Sequence, residues 1–455
     1  MITDIDLARW FGLLYAGAVV VAYLTVGALC RSRTGKARAI EAGSNLNIPS
    51  QVWWPVGIFA LAVAVRLAPA ILLPNGAAFD FASYKAVGDV VLRGGDVYNS
   101  PELLFRYPYL PLPLYFLGIA EAVASGGLLP LTLAIKAPLA LLDGLTALVI
   151  YASVTKLSDR RDALIAGCLF ALNPVSMLVT AYHGQFDSLP LLFIVMAWYL
   201  ARFHAADRRL SLFLAALLVG IAILAKTWPI LLLPCFVISM QTLRSKLIFC
   251  MASLVPAMLA ALVYVALHPG SGGALLTRVA GYSGVAGLWG YASVVLSLRN
   301  LGLVDLRSGA VLANFLMRYT PAVMLLGIGL VFVLALRTRK DLLSTMLTTI
   351  LVTLSLSVGF STQYLVWPVP FASVLGEQIL SRLYVVVAAA YMLATFLLVQ
   401  LAPTALGAEL EDGPLRLLGI GLWVVIIAWS VVRIRDLLAG KSPLRRQAAH
   451  GEEGC

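Results

Sequence analysis

The feature that most constrains this chain is a succession of continuously apolar stretches, the first running from Trp10 to Cys30. A helix of about 20 residues crosses the hydrocarbon of a bilayer. The stretches are unbroken rather than alternating, which selects helices over a barrel. Composition agrees. Of 455 residues, 61% are hydrophobic and 12% charged, against roughly 25% charged in soluble domains. A water-soluble fold of this length has nowhere to hide so much apolar surface. The expectation is an all-α, polytopic transmembrane bundle.

Crossings are expected to begin near residues 10, 53, 131, 162, 187, 210, 228, 247, 311, 341, 365, 383 and 414, about thirteen in all by the length a bilayer demands. The segment Pro108 to Ala124 opens with PYLPLP and is short. If it lies along the interface instead of crossing, the basic clusters all fall on one side. These are Arg31 to Arg38, Lys156 to Arg161, Arg202 to Arg209, Arg244 and Lys246, Arg337 to Lys340, Arg382, and Arg433 to Arg446. They hold most of the 33 Lys and Arg, and the positive-inside rule makes that side cytoplasmic. The net charge of +11 therefore reads as topology, not as affinity for nucleic acid. The acidic turn Glu409 to Asp412 falls outside. Trp10 to Cys30 is too long for a signal-peptide core and leads into bases, so it is expected to remain as a span with its N-terminus outside.

One transmembrane domain is expected over 1–438, with a short cytoplasmic tail over 439–455 and no internal repeat. Two outer loops are long, 74–130 and 268–309. Long loops on an economical scaffold usually carry function. A plasma membrane of a bacterium or archaeon suits such a chain.

In the first loop, the turn Pro74-Asn75-Gly76 precedes an expected juxtamembrane helix from Phe79 to Arg93, closed by Gly94-Gly95. Asp80 and Tyr84 stand i, i+4 and share a face. By spacing alone Asp80 is a helix N-cap or a working carboxylate, and Asp89 and Asp96 are surface or turn residues. Tyr182-His183-Gly184-Gln185-Phe186-Asp187 falls at an outer helix junction. It is either a polar turn in which Asp187 caps the next helix or a second cluster of working side chains. Outer bases are Lys85, Arg93, Arg106, Lys226, Arg278, Arg299 and Arg307. Lys226, before Trp228-Pro229, reads as a snorkelling lysine or an anion ligand. Arg66, Lys136 and Asp143 lie in or near spans and are expected to pair inside the bundle. Lys136 and Asp143 are too far apart on their helix to bond each other. Gln363, Tyr364 and Trp367 follow an outer turn, with Trp367 read as an interfacial anchor.

Metal and cofactor chemistry find no support. The five Cys show no paired spacing and read as packing residues. His183, His204, His268 and His450 are scattered, and no phosphate-cradling glycine loop occurs.

The run AVRLAPAILLPNGAAFDFASYKAVGDVVLRGGDVYN resembles the first-loop signature of the GT-C superfamily of membrane glycosyltransferases. There, an Arg-bearing helix leads to an Asp, a Tyr and a Gly-Gly-x-x-Tyr close. FRYPYLPLPLY, with Arg106 and Tyr107, is similar to its Tyr-Pro-Pro segment, with Tyr109 in place of the second Pro. IKAPLALLDGL, NPVSMLVTAYHGQFDSLPLL, LAKTWPILLLP and STQYLVWPVPF resemble further stretches of the same family, in order, over roughly residues 60 to 375. The resemblance implies an inverting transferase that takes a hexose, mannose or glucose first, from a polyprenyl-phosphate donor. The acceptor would be a glycolipid, glycan or protein on the extracytoplasmic face.

Asp80 occupies the place of the general base. The resemblance also marks Tyr84, Arg106, Tyr107, His183, Gln185, Asp187, Lys226, Gln363 and Tyr364 as substrate-contacting candidates, and an anionic donor makes Arg278 in the second outer loop another. The chemistry needs one carboxylate, because phosphate already leaves well. A retaining glycosidase needs a pair about 5 Å apart. The rival class is a transporter or flippase of a lipid-linked sugar or other amphiphile. It is disfavoured because the polar residues gather in outer loops rather than at the midplane of repeated halves.

Overall fold

Every long apolar stretch is a helix in the computed structural model, which describes residues 4–32, 53–73, 77–104, 106–203, 208–281, 289–303, 305–338, 341–358, 361–376, 379–398 and 413–440. Among these residues there is no strand. Nine helices are long and apolar enough to cross a membrane: Leu7–Ala28, Trp53–Leu72, Leu131–Leu157, Arg160–His183, Arg208–Ala225, Leu243–Leu267, Asn314–Thr338, Ile379–Leu398 and Pro414–Leu438. The other crossings expected from sequence are shorter pieces. Ser188–Phe203, Trp228–Ile238 and Leu342–Leu356 all fall in the 10–17 residue class. The segment near residue 365 is a 3-10 turn, Thr362–Val366, followed by Val369–Leu375. At 1.5 Å per residue such pieces reach at most about 24 Å, short of a bilayer's ~30 Å hydrocarbon. The thirteen expected crossings thus comprise nine full-length apolar helices and four shorter pieces. Turn Pro74-Asn75-Gly76, the basic residues Arg33 to Arg38, Arg339 and Lys340, the acidic turn Glu409 to Asp412 and the tail after Gly440 lie outside the described residues.

The first loop folds back on the bundle as a helical hairpin. Helix α3 (Ala78–Leu92) and helix α4 (Pro111–Ser125) are the two short helices. Pro111 and Pro113 start α4 where a missing N–H costs nothing. The two helices approach closely at Gly88, where a Cβ would stand 2.5 Å from Glu121 Cβ. Phe81, Tyr84, Val87, Tyr98, Leu114, Leu117, Phe186 and Tyr264 form an apolar cluster of their own there, apart from the main core of the bundle. The loop is locked from its far side. Tyr264 donates to Asp96 Oδ1 at 2.9 Å and accepts from Val97 N at 2.8 Å. Arg278 donates to the carbonyls of Val97, Ser100 and Leu103.

Inside the bundle, α2 (Trp53–Leu72), α5 (Leu131–Leu157) and α6 (Arg160–Ala171) share one buried knot. Pro174 forbids α6 from continuing, so the Phe170 and Ala171 carbonyls lose their helical donors. Arg66 supplies them at 3.3 and 2.8 Å, and gives further N–H groups to Ala62 O, Ser176 Oγ and Asp143. Asp143 Oδ2 also accepts from Ser176 and Thr180. A fully buried charge pair persists only when its remaining donors and acceptors are met, and here every Arg66 nitrogen and Asp143 Oδ2 have partners. The helix then restarts as α7 (Pro174–Met177), capped by Asn173, whose Oδ1 accepts from Val175 N and Ser176 N. It ends in a π-helical turn, Leu178–His183. The chain thereby delivers His183 to one end of the bundle.

Helix α8 (Ser188–Phe203) leaves that end and α9 (Arg208–Ala225) returns to it. The basic turns around Lys156 to Arg161 and Arg202 to Arg209 consequently lie at the end remote from His183. Arg382 packs against Gly27 at the tail of α1 (Asp4–Ser32), and Arg433 reaches Ser344 at the head of Leu342–Leu356.

Candidate functional site

Asp80 lies in the first turn of α3 but is not its cap, which is Ala77. Its side chain is 30% exposed. Oδ2 accepts from Gln185 Nε2 at 2.8 Å and stands 3.3 Å from His183 Nε2. Among the described residues no donor reaches Oδ1. Burial pushes this carboxyl up. The His183 and Gln185 contacts, with the Lys226 charge behind them, outweigh burial and hold it below its ordinary value. Asp80 is therefore a carboxylate at neutral pH with one oxygen fixed and one open.

Gly184 makes this arrangement possible. It sits at φ 76°, and a Cβ there would lie 2.6 Å from the Phe81 ring. The left-handed turn at Gly184 sends the chain back, so that His183 and Gln185 both face Asp80.

Beneath Gln185 lies a second charge centre. Lys226 is buried, 2.6 Å from Asp187 Oδ2 and 3.3 Å from Gln185 Oε1. Asp187 is fully buried, and its Oδ1 accepts from Trp367 Nε1 at 2.9 Å. Aromatic rings enclose the ammonium: Phe186 at 5.0 Å, Tyr109 at 5.7 Å and Tyr364 at 5.7 Å. Trp228 and Trp367 stack at 4.3 Å alongside. A continuous path of polar contacts thus runs from Asp80 through Gln185 and Lys226 to Asp187.

The residues singled out from the sequence divide into two groups. Asp80, His183, Gln185, Asp187, Lys226, Tyr364 and Tyr84 converge. Tyr84 is buried against Phe81 and Phe186, and its hydroxyl has no hydrogen-bond partner among the described residues. Burial, with the Asp80 charge beside it, keeps that phenol protonated. Arg106 sits at the rim, donating to Ser83 Oγ and lying 4.8 Å over the exposed Phe79 ring.

The second group stands apart. The Tyr107 hydroxyl goes to Leu110 O at 2.9 Å, and Arg278 holds loop carbonyls. Gln363 is buried and accepts from Ser361. Lys85 pairs with Asp89 and Glu121, and Arg93 with Glu102. Asp96 caps its own turn through Tyr98 N and Asn99. The side chain of Arg299 lies outside the described residues, and Arg307 is exposed.

Three readings are corrected by the geometry. Lys226 does not snorkel, because its ammonium is closed in by Asp187 and three rings. Trp367 is no interfacial anchor: it is 3% exposed, and its indole N–H is an internal hydrogen-bond donor. Lys136 does not pair: Arg66 and Asp143 pair inside the bundle as expected, whereas Lys136 Nζ is buried without a hydrogen-bond partner among the described residues. Phe81, Phe186 and Trp228 also belong to the site and were passed over. The signal was present in the aromatic residues flanking Asp80, Gln185 and Lys226. Apolar residues in an apolar chain do not stand out from their background. Among the described residues no cluster of three metal-ligating side chains occurs.

No curated protein and no solved structure gives a significant match. Residues 111–268, from α4 through the helix Leu243–Leu267 and its close at His268, match the family model described as dolichyl-phosphate-mannose-protein mannosyltransferase, a membrane glycosyltransferase domain of the GT-C superfamily.

Proposed function

We propose that the protein transfers a hexose, mannose in the first instance, from a polyprenyl-phosphate donor with inversion, and that Asp80 is the general base. The observation that carries this reading is the state of one carboxylate. Asp80 is ionised, its Oδ2 is held by two side chains of one turn, and its Oδ1 is open at the edge of the bundle. An acceptor hydroxyl placed at Oδ1 gives up its proton to that oxygen. Its oxygen attacks the anomeric carbon from the face opposite the phosphate, and the C1–O bond breaks. The electron pair leaves with polyprenyl phosphate, and no proton need be donated to it. A single displacement of this kind inverts the anomeric centre. The matched family favours mannose over glucose, and the acceptor remains a glycolipid, glycan or protein.

The basic turns at the remote end, which the positive-inside rule assigns to the cytoplasm, support an extracytoplasmic site. The N-terminus is then outside and the chain is a multi-pass membrane enzyme. Arg106, at the rim above Asp80, is the loop cation best placed to meet the donor phosphate through a guanidinium fork.

The test compares wild type with Asp80→Asn in lipid nanodiscs, using radiolabelled polyprenyl-phosphate mannose and glucose with a membrane-lipid extract and peptide acceptors. The variant is expected to bind donor normally and to lose about 10²–10⁴-fold in transfer, the usual worth of a general base. Equal transfer by the variant would remove Asp80 from the mechanism.

A further inference from the structure

An indole N–H is left unmet beside the Lys226–Asp187 pair. Trp228 opens the 3-10 turn Trp228–Leu232 and is partly exposed, yet its Nε1 is buried with no hydrogen-bond partner among the described residues. Its ring lies on that of Trp367, with centroids 4.3 Å apart and planes 17° from parallel. Tyr364 meets the same Trp367 ring at 4.4 Å. Trp367 is buried, and its own N–H is given to Asp187. Tyr109, on the loop ahead of α4, and Tyr364 each hold a ring 5.7 Å from the Lys226 ammonium. Both are partly exposed, like Trp228. Three segments distant in sequence thus bring partly exposed rings to one place. Aromatic residues that anchor a bundle at the interface form a belt facing the headgroups. These three instead converge on one buried ion pair.

The chemistry of the place is aromatic and neutral. Lys226, at its centre, is already neutralised by Asp187 at 2.6 Å. Aromatic surface with a few fixed polar groups is what a small-molecule site offers. It suits an uncharged polyhydroxylated ring, whose C–H face lies on an aromatic face while its hydroxyls meet the polar groups. An extended peptide is served less well, because strand addition needs an open row of backbone groups. Here Ile230 N, Tyr364 N and Trp367 N are used inside their own turns. Position then decides which sugar is met. In the displacement described above, the acceptor oxygen stands between Asp80 and the anomeric carbon, and the phosphate departs on the far side. Groups joined to Asp80 through Gln185 and Lys226 therefore border the acceptor, not the phosphate.

We propose that Trp228, Tyr364 and Tyr109 form a saccharide-binding subsite for the acceptor, and that the Trp228 N–H donates to one of the acceptor's hydroxyls. The acceptor is then a carbohydrate, free or lipid-linked, rather than the Ser or Thr of a protein. This rests on the transferase reading above, whose acceptor it narrows. A buried donor without a partner is costly, and a sugar hydroxyl supplies the acceptor atom that Trp228 lacks.

The experiment supplies wild type, Trp228→Leu and Trp228→Phe in lipid nanodiscs with polyprenyl-phosphate mannose. The acceptors are methyl mannoside, methyl glucoside, mannobiose and a Ser/Thr peptide, and saturation-transfer NMR follows binding of the glycosides without donor. Wild type is expected to bind a glycoside and transfer mannose to it, and to leave the peptide unmodified. Trp228→Leu should raise the KM for that glycoside about tenfold through loss of the stacking ring, with the KM for donor unchanged. Trp228→Phe keeps a ring on Trp367 and loses the N–H, so its acceptor KM should rise about fivefold, the worth of one neutral hydrogen bond. If Trp228→Leu does not fold, the split between acceptor and donor KM is read from Trp228→Phe. An unchanged acceptor KM in the folded variants overturns the proposal. A donor KM that rises in step with it also overturns it, since Trp228 would then hold the fold or the donor. Transfer to the peptide and to none of the saccharides removes the subsite and leaves the transferase reading standing. If wild type neither transfers mannose nor binds a glycoside, both fall.

Discussion

Replacing Lys226 by Met keeps the length of the side chain and removes one charge. Asp187 would then be a fully buried carboxylate with the Trp367 indole N–H as its remaining hydrogen-bond donor. Breaking a buried pair from one side costs about 3–5 kcal/mol, because the surviving ion is left uncompensated. Unfolding entropy of about 2.1 cal/mol/K per residue, taken over a chain of this length, is ~1 kcal/mol/K. The expected fall in melting temperature is therefore ~3–5 °C by that same entropy, read by scanning fluorimetry in detergent. Transfer activity should fall with it, since Gln185 loses the ammonium that braces its Oε1. The decisive arm is the double variant Lys226→Met with Asp187→Asn. Asn keeps an acceptor for Trp367 and carries no charge, so most of the lost stability should return while activity stays low. If the single variant melts within a degree of wild type, or the double variant is no better than the single, the pair does not hold the site as argued.

Two further outcomes follow from the same geometry. In Gln185→Leu, Asp80 loses one of the donors that keep its carboxyl below the ordinary 3.8. The acid limb of the kcat/KM profile should shift to higher pH. The sign follows from linkage: a depressed carboxyl stabilises the fold above its unfolded value, and that contribution disappears as pH falls through the folded one. An unmoved limb would detach Gln185 from the base. Gly184→Ala puts a methyl 2.6 Å from Phe81 at φ 76°, so a loss of ~1–3 kcal/mol and a collapse of transfer are expected. Wild-type melting and turnover in this variant would show that the turn is not under steric constraint.

The membrane class, the helical architecture and the position of Asp80 were legible from the chain alone. Lipid demands unbroken apolar stretches of a fixed length, and a residue that departs from that pattern stands out. His183, Gln185, Asp187 and Lys226 stood out for the same reason. What one dimension could not supply was partnership. Arg66 and Asp143 are 77 positions apart, and Asp187 and Trp367 are 180 apart. Their bonds exist because Pro174 breaks a helix and Gly184 turns the chain. The roles of Lys226 and Lys136 show this most clearly. In sequence each is a lysine in an apolar setting. Only the packing of the hairpin of α3 and α4 against α5 and α9 gives Lys226 a carboxylate and three rings and leaves Lys136 with a single ring, because a charge in low dielectric is defined by what surrounds it rather than by its place in the chain.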